Sequence, residues 1–190
     1  MEQCYALRNV MVYVFLADGC EEIEALAPVD VMRRAGIETV TVGVPGNSVM
    51  GAHDIEITAD IAEGQMNTEG LEAIVLPGGL PGTTNLEASD AVQRMIDYCV
   101  ENDILIGAIC AAPSILGNKG LLKGKTATAF PSFQKFLSGA LLSDEYVCRD
   151  GNIITARGMG VSLQFGAKLI EAVKGADKAA EIMAQIQFPG

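Results

Sequence analysis

Four short runs fix what this chain can fold into: "NVMVYVFL" (residues 9–16), "ETVTVGV" (38–44), "LEAIVLPGG" (71–79) and "ILIGAIC" (104–110). The first is β-branched and aromatic with almost no polar interruption, the pattern of a strand covered on both faces. A helical stretch follows it. Its first turn is acidic (Glu21, Glu22, Glu24), its last turn is basic (Arg33, Arg34), and Gly36 closes it. That is the charge order a helix dipole favours, with glycine at the C′ position. Pro28 inside the same stretch predicts a kink. Residues 53–60, "HDIEITAD", alternate as a strand does, and residues 89–101 form a helix leading into "ILIGAIC". Short strands are expected at 125–130, 145–150 and 152–158, and helices at 161–173 and 176–185. Strand and helix alternating in this order imply an α/β sandwich around a mostly parallel sheet. With no repeat, low-complexity tract or long polar linker, residues 1–190 read as a single domain.

Composition removes several classes of function. Apolar residues make up 49% of the 190 and charged residues 19%, so the chain is globular, with enough material for one sizeable core. A net charge of −11 argues against nucleic acid and anionic membranes as partners, since both require a basic face. The longest apolar run, residues 10–17, is far short of the roughly 20 residues that span a bilayer, and no signal-peptide pattern precedes it. The five cysteines (Cys4, Cys20, Cys99, Cys110, Cys148) are odd in number and lack metal-ligand spacing. Free thiols in a reducing cytoplasm are expected, with no metal and no cofactor.

In open α/β sheets the binding crevice lies past the carboxyl ends of the strands. "ADGCEEIE", "PGGLPG" and "CAAP" all fall at such ends. Cys110 is either one more buried small residue or a nucleophile. Its place at a sharp strand-to-helix turn favours the second, because such an elbow lifts the side chain over the sheet and aims helix N-terminal amides at it. Those amides are expected to lower the thiol pKa into a range of about 3.5–7.5. The glycine loop at 77–82 is either a flexible connection or a set of backbone N–H groups turned toward a developing anion; it lacks the GK[ST] of a phosphate loop. The short "RGMG" (157–160) is too brief and too late for a dinucleotide fingerprint. Among Glu21, Glu22 and Glu24, one member can reach the thiol if the first and fifth strands lie side by side.

Taken together, "DGCEEIEALAPVDVMRRAGI", "IVLPGG", "GAICAAP" and "ARGMG" resemble the ThiJ/PfpI superfamily, in the branch of the Parkinsonism-associated deglycase and bacterial YajL. The likeness runs from about residue 10 to residue 185. It implies a flavodoxin-like three-layer sandwich and a homodimer. It implies that Cys110 is the nucleophile, that Glu24 is its carboxylic acid partner, and that the amides of Gly79 and Ala111 hold an oxyanion. The implied activity is a cofactor-free glyoxalase converting methylglyoxal or glyoxal to a hydroxy acid, with protein deglycation attributed to some members. An oxidation-sensing or holdase role is the alternative from a different class.

Two departures from the family bear on this. Where some members carry a histidine before proline, this chain has Phe130 in "TAFP"; where the peptidase branch has histidine after the nucleophile, it has Ala111. A Cys–His hydrolase needs a base within hydrogen-bond reach, so peptidase or amidase action is not expected. His53 is the only histidine. It stands where relatives put a basic residue toward the dimer partner, and a contact with the neighbouring subunit near its site is one expectation; an ordinary surface position is the other.

Overall fold

The computed structural model describes residues 11–189. Its elements in chain order are β1 (Met11–Ala17), α1 (Glu22–Arg34), β2 (Glu38–Val44), β3 (Ser48–Met50), β4 (Glu56–Thr58), β5 (Ile61–Ala62), β6 (Leu71–Leu76), α2 (Gly82–Ala88), α3 (Asp90–Glu101) and β7 (Leu105–Ile109). The second half continues with α4 (Pro113–Asn118), β8 (Thr126–Ala127), β9 (Leu141–Leu142), β10 (Val147–Asp150), β11 (Ile153–Ala156), α5 (Ser162–Lys174) and α6 (Ala176–Gln185). Seven strands build the main sheet in the order β10-β11-β7-β6-β1-β2-β5. All its pairings are parallel except the edge pair β10 with β11.

β1 sits near the middle and all seven of its residues are buried, which is why its sequence has no alternation. Its odd and even positions serve different layers. Tyr13 and Phe15 pack with Leu86 of α2, Ile96 of α3 and Ile115 of α4. Val12, Val14 and Leu16 pack with Val29 and Met32 of α1, Phe165 and Leu169 of α5, and Ile182 of α6. Two apolar layers enclosing one sheet make the three-layer α/β domain the sequence implied.

α1 carries the signals its sequence advertised. Glu21 caps it, its side chain accepting from the Glu24 N–H at 2.6 Å. At the other end Gly36 takes a left-handed φ of +70°. The Gly36 N–H donates to the Arg33 carbonyl at 3.0 Å and the Ile37 N–H to the Met32 carbonyl at 3.1 Å, closing the last turn. Pro28 does not end the helix, which runs unbroken through it.

The structure corrects three expectations. The alternating segment at 53–60 is not a strand of the main sheet: only β4 forms, paired antiparallel with β3 in a separate two-stranded hairpin. Its alternation buries Val49 and Ile57 on one side and leaves the flanking residues exposed, which a hairpin lying on the body satisfies as well as a sheet strand. The helix α2 was not foreseen, because seven residues starting on glycine with two threonines give little helical periodicity. The first and fifth strands, β1 and β7, are not neighbours either, since β6 lies between them. A side chain from α1 must therefore reach the thiol across the end of β6.

Candidate active site

β7 ends at Ile109, and the chain turns so sharply at Cys110 that its φ is +63°, a left-handed value uncommon for any residue but glycine. Such a conformation costs roughly 1–3 kcal/mol and persists only where the surroundings impose it. Here the Cys110 N–H donates to the Ala156 carbonyl of β11 at 2.9 Å. The Cys110 carbonyl accepts from the Phe130 N–H, also at 2.9 Å, and the Ala112 N–H closes the turn on Ile109 at 3.0 Å. Two neighbouring segments and the turn itself thus hold the elbow, and the sulfur stands at the carboxyl edge of the sheet.

Glu24 reaches the same point from α1. Its side chain is 1% exposed, its Oε2 accepts from the Gly78 N–H at 3.0 Å, and its carboxyl lies beside the Cys110 thiol. The reach across the end of β6 depends on Gly78. A Cβ there would lie 2.6 Å from Glu24 Oε2 and 2.7 Å from Cys110 Cβ, so only glycine leaves room for the two side chains to meet. The loop is tied to the helix start by the Glu21 N–H, which donates to the Gly78 carbonyl at 2.9 Å. The amides of Gly79 and Ala111 both act on the Cys110 thiol, favouring its charged form. On the far side Gly158 closes the space: a Cβ there would be 3.8 Å from both the Cys110 sulfur and Glu24 Oε1, and 3.4 Å from the Phe130 ring.

Electrostatics in this pocket reverse one expectation. Burial, assisted by the charge of Glu21, raises the Glu24 carboxyl to about 7, although the Cys110 hydrogen bond and the N–H groups of Gly78 and Met159 pull it down. Burial and the neighbouring Glu24 carboxylate push the Cys110 thiol up to about 12, against the amides of Ala111 and Gly79. The helix behind the elbow is only six residues long, so its dipole does not offset those costs. The thiol is therefore protonated near pH 7, and the two groups titrate as one coupled unit. Cys110 differs from the other described thiols in access. Cys20, Cys99 and Cys148 are buried while Cys110 is half-buried. Cys4 lies outside the described residues.

Glu22 and His53 form a separate arrangement one face away. Glu22 Oε1 accepts from the His53 N–H at 2.7 Å, and Glu22 Oε2 lies 2.8 Å from His53 Nδ1. Burial alone would raise Glu22, but the His53 ring, the His53 N–H and Glu22's own N–H outweigh it, and the carboxyl is held below its usual range. The hydrogen bond and charge of Glu22 in turn raise His53, whose side chain is 68% exposed. Glu21, Glu22 and His53 bring their ligating atoms within 4.8 Å of one another, a cluster the spacing did not reveal. Its oxygens are already engaged in capping α1 and holding His53. Sequence reasoning also passed over Gly78 and Gly158. The doubled glycine of "LPGG" was the available signal for the first; for the second it was the "RGMG" set aside as too brief for a dinucleotide fingerprint.

Fold and site together define a class: a three-layer α/β protein built around a cysteine on a left-handed elbow with a buried carboxyl beside it. The family model described as the DJ-1/PfpI family matches residues 10–172. Protein dj-1beta of Drosophila melanogaster is 36% identical over 172 residues, covering 89% of this chain and 92% of that protein. The Parkinson disease protein 7 homolog of Danio rerio is 38% identical over 178 residues, covering 91% and 94%. Among solved structures, oxidized DJ-1 of Toxoplasma gondii superposes with a TM-score of 0.91 at 33% identity, over 95% of this chain and all of that one. The chain belongs to the DJ-1/PfpI family. Among the described residues no helix is long and apolar enough to cross a membrane.

Proposed function

We propose that this protein is a cofactor-independent glyoxalase-type enzyme acting on small reactive dicarbonyls such as methylglyoxal and glyoxal. The observation that carries this reading is the convergence of the Cys110 side chain and the buried Glu24 carboxyl over Gly78, with the Gly79 and Ala111 amides acting on the same sulfur. A carboxyl near 7 is well placed to act as base and acid in turn at neutral pH. Glu24 as carboxylate takes the thiol proton while the sulfur bonds to the aldehyde carbon. The new oxyanion is held by the two amides and protonated as the hemithioacetal forms. Glu24 then removes the proton on that carbon as the adjacent carbonyl oxygen is protonated, giving an enediol. It returns the proton to the adjacent carbon as the first hydroxyl loses its own, leaving the thioester of a 2-hydroxy acid. Water cleaves the carbon–sulfur bond, the thiol regains its proton and the hydroxy acid leaves. One carbon is oxidised by two electrons as its neighbour is reduced by two, so one water is consumed and no external oxidant is needed. On a protein-bound aminocarbinol adduct the sulfur instead displaces the protein amine from the same carbon, the C–N bond breaking as the amine leaves with the thiol proton. The resulting hemithioacetal then follows the same steps, the deglycase form of the reaction.

Purified protein without added cofactor is expected to convert methylglyoxal to lactate, and Cys110→Ala to have no activity. Equal turnover by both would end this reading.

A second reading, an oxidation sensor or holdase in stress protection with little turnover, is favoured by a different observation. Among the described thiols only Cys110 is not fully buried, and a carboxyl titrating near 7 stands beside it to hydrogen-bond an oxidised sulfur. Under either reading the thiols of Cys20, Cys99, Cys110 and Cys148 are free, in keeping with a reducing cytoplasm. A homodimer belongs to this reading too. Ile23 and Leu26 on α1, with Met50 and Ile55 on the adjoining hairpin that carries His53, are large apolar side chains left exposed. Light scattering at micromolar concentration is expected to give twice the chain mass.

A further inference from the structure

Beside the thiol, past Gly158, opens a cleft of about 400 Å³ with an almost wholly apolar lining. Its walls are Phe130, Tyr146, Met159 and Val161. The first three are 46%, 61% and 53% exposed, a cost in water unless something covers them. The walls are tied to the reactive centre. Phe130 donates its N–H to the Cys110 carbonyl, and its ring and the sulfur flank the same face of Gly158. The Met159 N–H lies on the Glu24 side and lowers its carboxyl. Tyr146 is fixed from behind, its carbonyl accepting from the Arg157 N–H at 3.0 Å while the Arg157 guanidinium lies 5.3 Å from its ring centre. Arg157 in turn is held by Thr128 Oγ1 at 3.3 Å and Asp144 Oδ1 at 3.4 Å.

A methyl substituent, comparable to a water's share of liquid volume at about 30 Å³, leaves most of such a space empty. A ring fills it, and preformed apolar clefts of a few hundred Å³ are typical small-molecule sites. We infer that this cleft is the subsite for the substituent of the dicarbonyl, and that Phe130, Tyr146 and Met159 select an aromatic or bulky apolar group over methyl. Phe130, where some relatives carry histidine, is then a specificity residue: it replaces a polar partner of the thiol with an apolar wall. The inference rests on the glyoxalase reading above and narrows its substrate to arylglyoxal-type 2-oxoaldehydes.

The test compares kcat/KM for phenylglyoxal and methylglyoxal in wild type, Phe130→Ala and Phe130→Leu. Wild type is expected to favour phenylglyoxal by about tenfold or more, the scale on which an apolar pocket discriminates. Phe130→Ala should lower phenylglyoxal turnover about tenfold while methylglyoxal changes less than about threefold, with Phe130→Leu between. The ratio between variant and wild type cancels the intrinsic reactivities of the two aldehydes. Equal loss on both substrates, or no preference in wild type, overturns the subsite. Calorimetry on Cys110→Ser protein with the product acids needs no turnover: mandelate should bind about tenfold tighter than lactate, and Phe130→Ala should erase the difference. Mandelate binding no tighter than lactate refutes the subsite whatever the kinetics. Tight mandelate binding with no turnover of either aldehyde upholds the subsite and removes the glyoxalase reading instead.

Discussion

Glu22 and Glu24 share one helical turn and are almost equally hidden, at 3% and 1% exposed, yet they are held in opposite ways. Two residues apart on a helix is a rotation of about 200°, so their side chains leave α1 on opposite sides. Glu22 meets the His53 ring and N–H and is kept below its usual range. Glu24 meets a thiol, one amide of the glycine loop and the packed end of the sheet, and burial carries it to about 7. Burial by itself does not determine which charge state a carboxyl keeps. The charge of the partners decides it: Glu22 has an imidazole that can carry a positive charge, whereas Glu24 has a thiol and feels the negative charge of Glu21. The fold thereby sets a structural acid and a chemical one side by side on a single turn.

The sharpest break in that comparison is Glu24→Gln. It keeps volume and a hydrogen-bond donor but cannot exchange a proton, so turnover should fall by about 10²–10⁴-fold. Because the Glu24 charge is one of the causes that raise the Cys110 pKa, alkylation of Cys110 at neutral pH should be as fast as in wild type or faster. Steady-state kinetics paired with mass-mapped iodoacetamide labelling separates the two effects. Turnover within a few-fold of wild type would assign the proton transfer to another group.

A smaller loss is expected from Gly78→Ala, which keeps both Cys110 and Glu24 but pushes them apart. A displacement of about 1 Å in a reacting pair can cost around 10²-fold, and the overpacking itself about 1–3 kcal/mol. Turnover should drop about 10–100-fold with the far-ultraviolet spectrum unchanged. Unaltered kinetics would mean the close approach at Gly78 yields without disturbing the pair.

Stability against pH gives the smallest and most discriminating contrast. Glu24 is raised from 4.5, so the native state binds more protons than the unfolded chain between about pH 4.5 and 7, and stability is lost as pH rises through that window. Glu22 is lowered, so its contribution is present above the ordinary carboxylate value and lost as pH falls through its folded value. His53, raised by the same pair, stabilises fully below about 6.5 and less as pH rises through its folded value. Urea unfolding should show Glu24→Gln gaining on wild type from pH 5 to pH 8. Glu22→Gln should be slightly less stable than wild type near pH 6, since its partner His53 is exposed, and the gap should shrink toward both acid and alkaline pH. Parallel pH profiles for the two variants would erase the distinction.

The opposed roles of these two glutamates lie at the boundary of what a sequence discloses. β1 was legible because burial on both faces leaves an uninterrupted apolar run, and α1 because Glu21, Arg33, Arg34 and Gly36 are local signals. Cys110 was legible as the residue at a strand–helix junction. Which of three neighbouring glutamates faces it was not: that depends on the phase of α1 and on β6 standing between β1 and β7, and the family resemblance supplied the choice. The thiol pKa was misjudged because the turn suggested a helix dipole, whereas the burial and the carboxylate that outweigh it are tertiary. β3 and α2 escaped notice because each spans too few repeats of its period to stand out, three residues for the strand and seven for the helix.

The left-handed backbone at Cys110 also bears on how such a chain drifts over generations. Residues branched at Cβ are penalised at that dihedral, whereas glycine and asparagine occupy it readily and serine adds little bulk. The substitutions that best relieve the elbow are ones that delete the sulfur, so loss of chemistry and retention of architecture point the same way. A lineage freed from selection for turnover would slide toward well-folded, inert descendants, and thiol retention at this position in any descendant would therefore mark a role still in use.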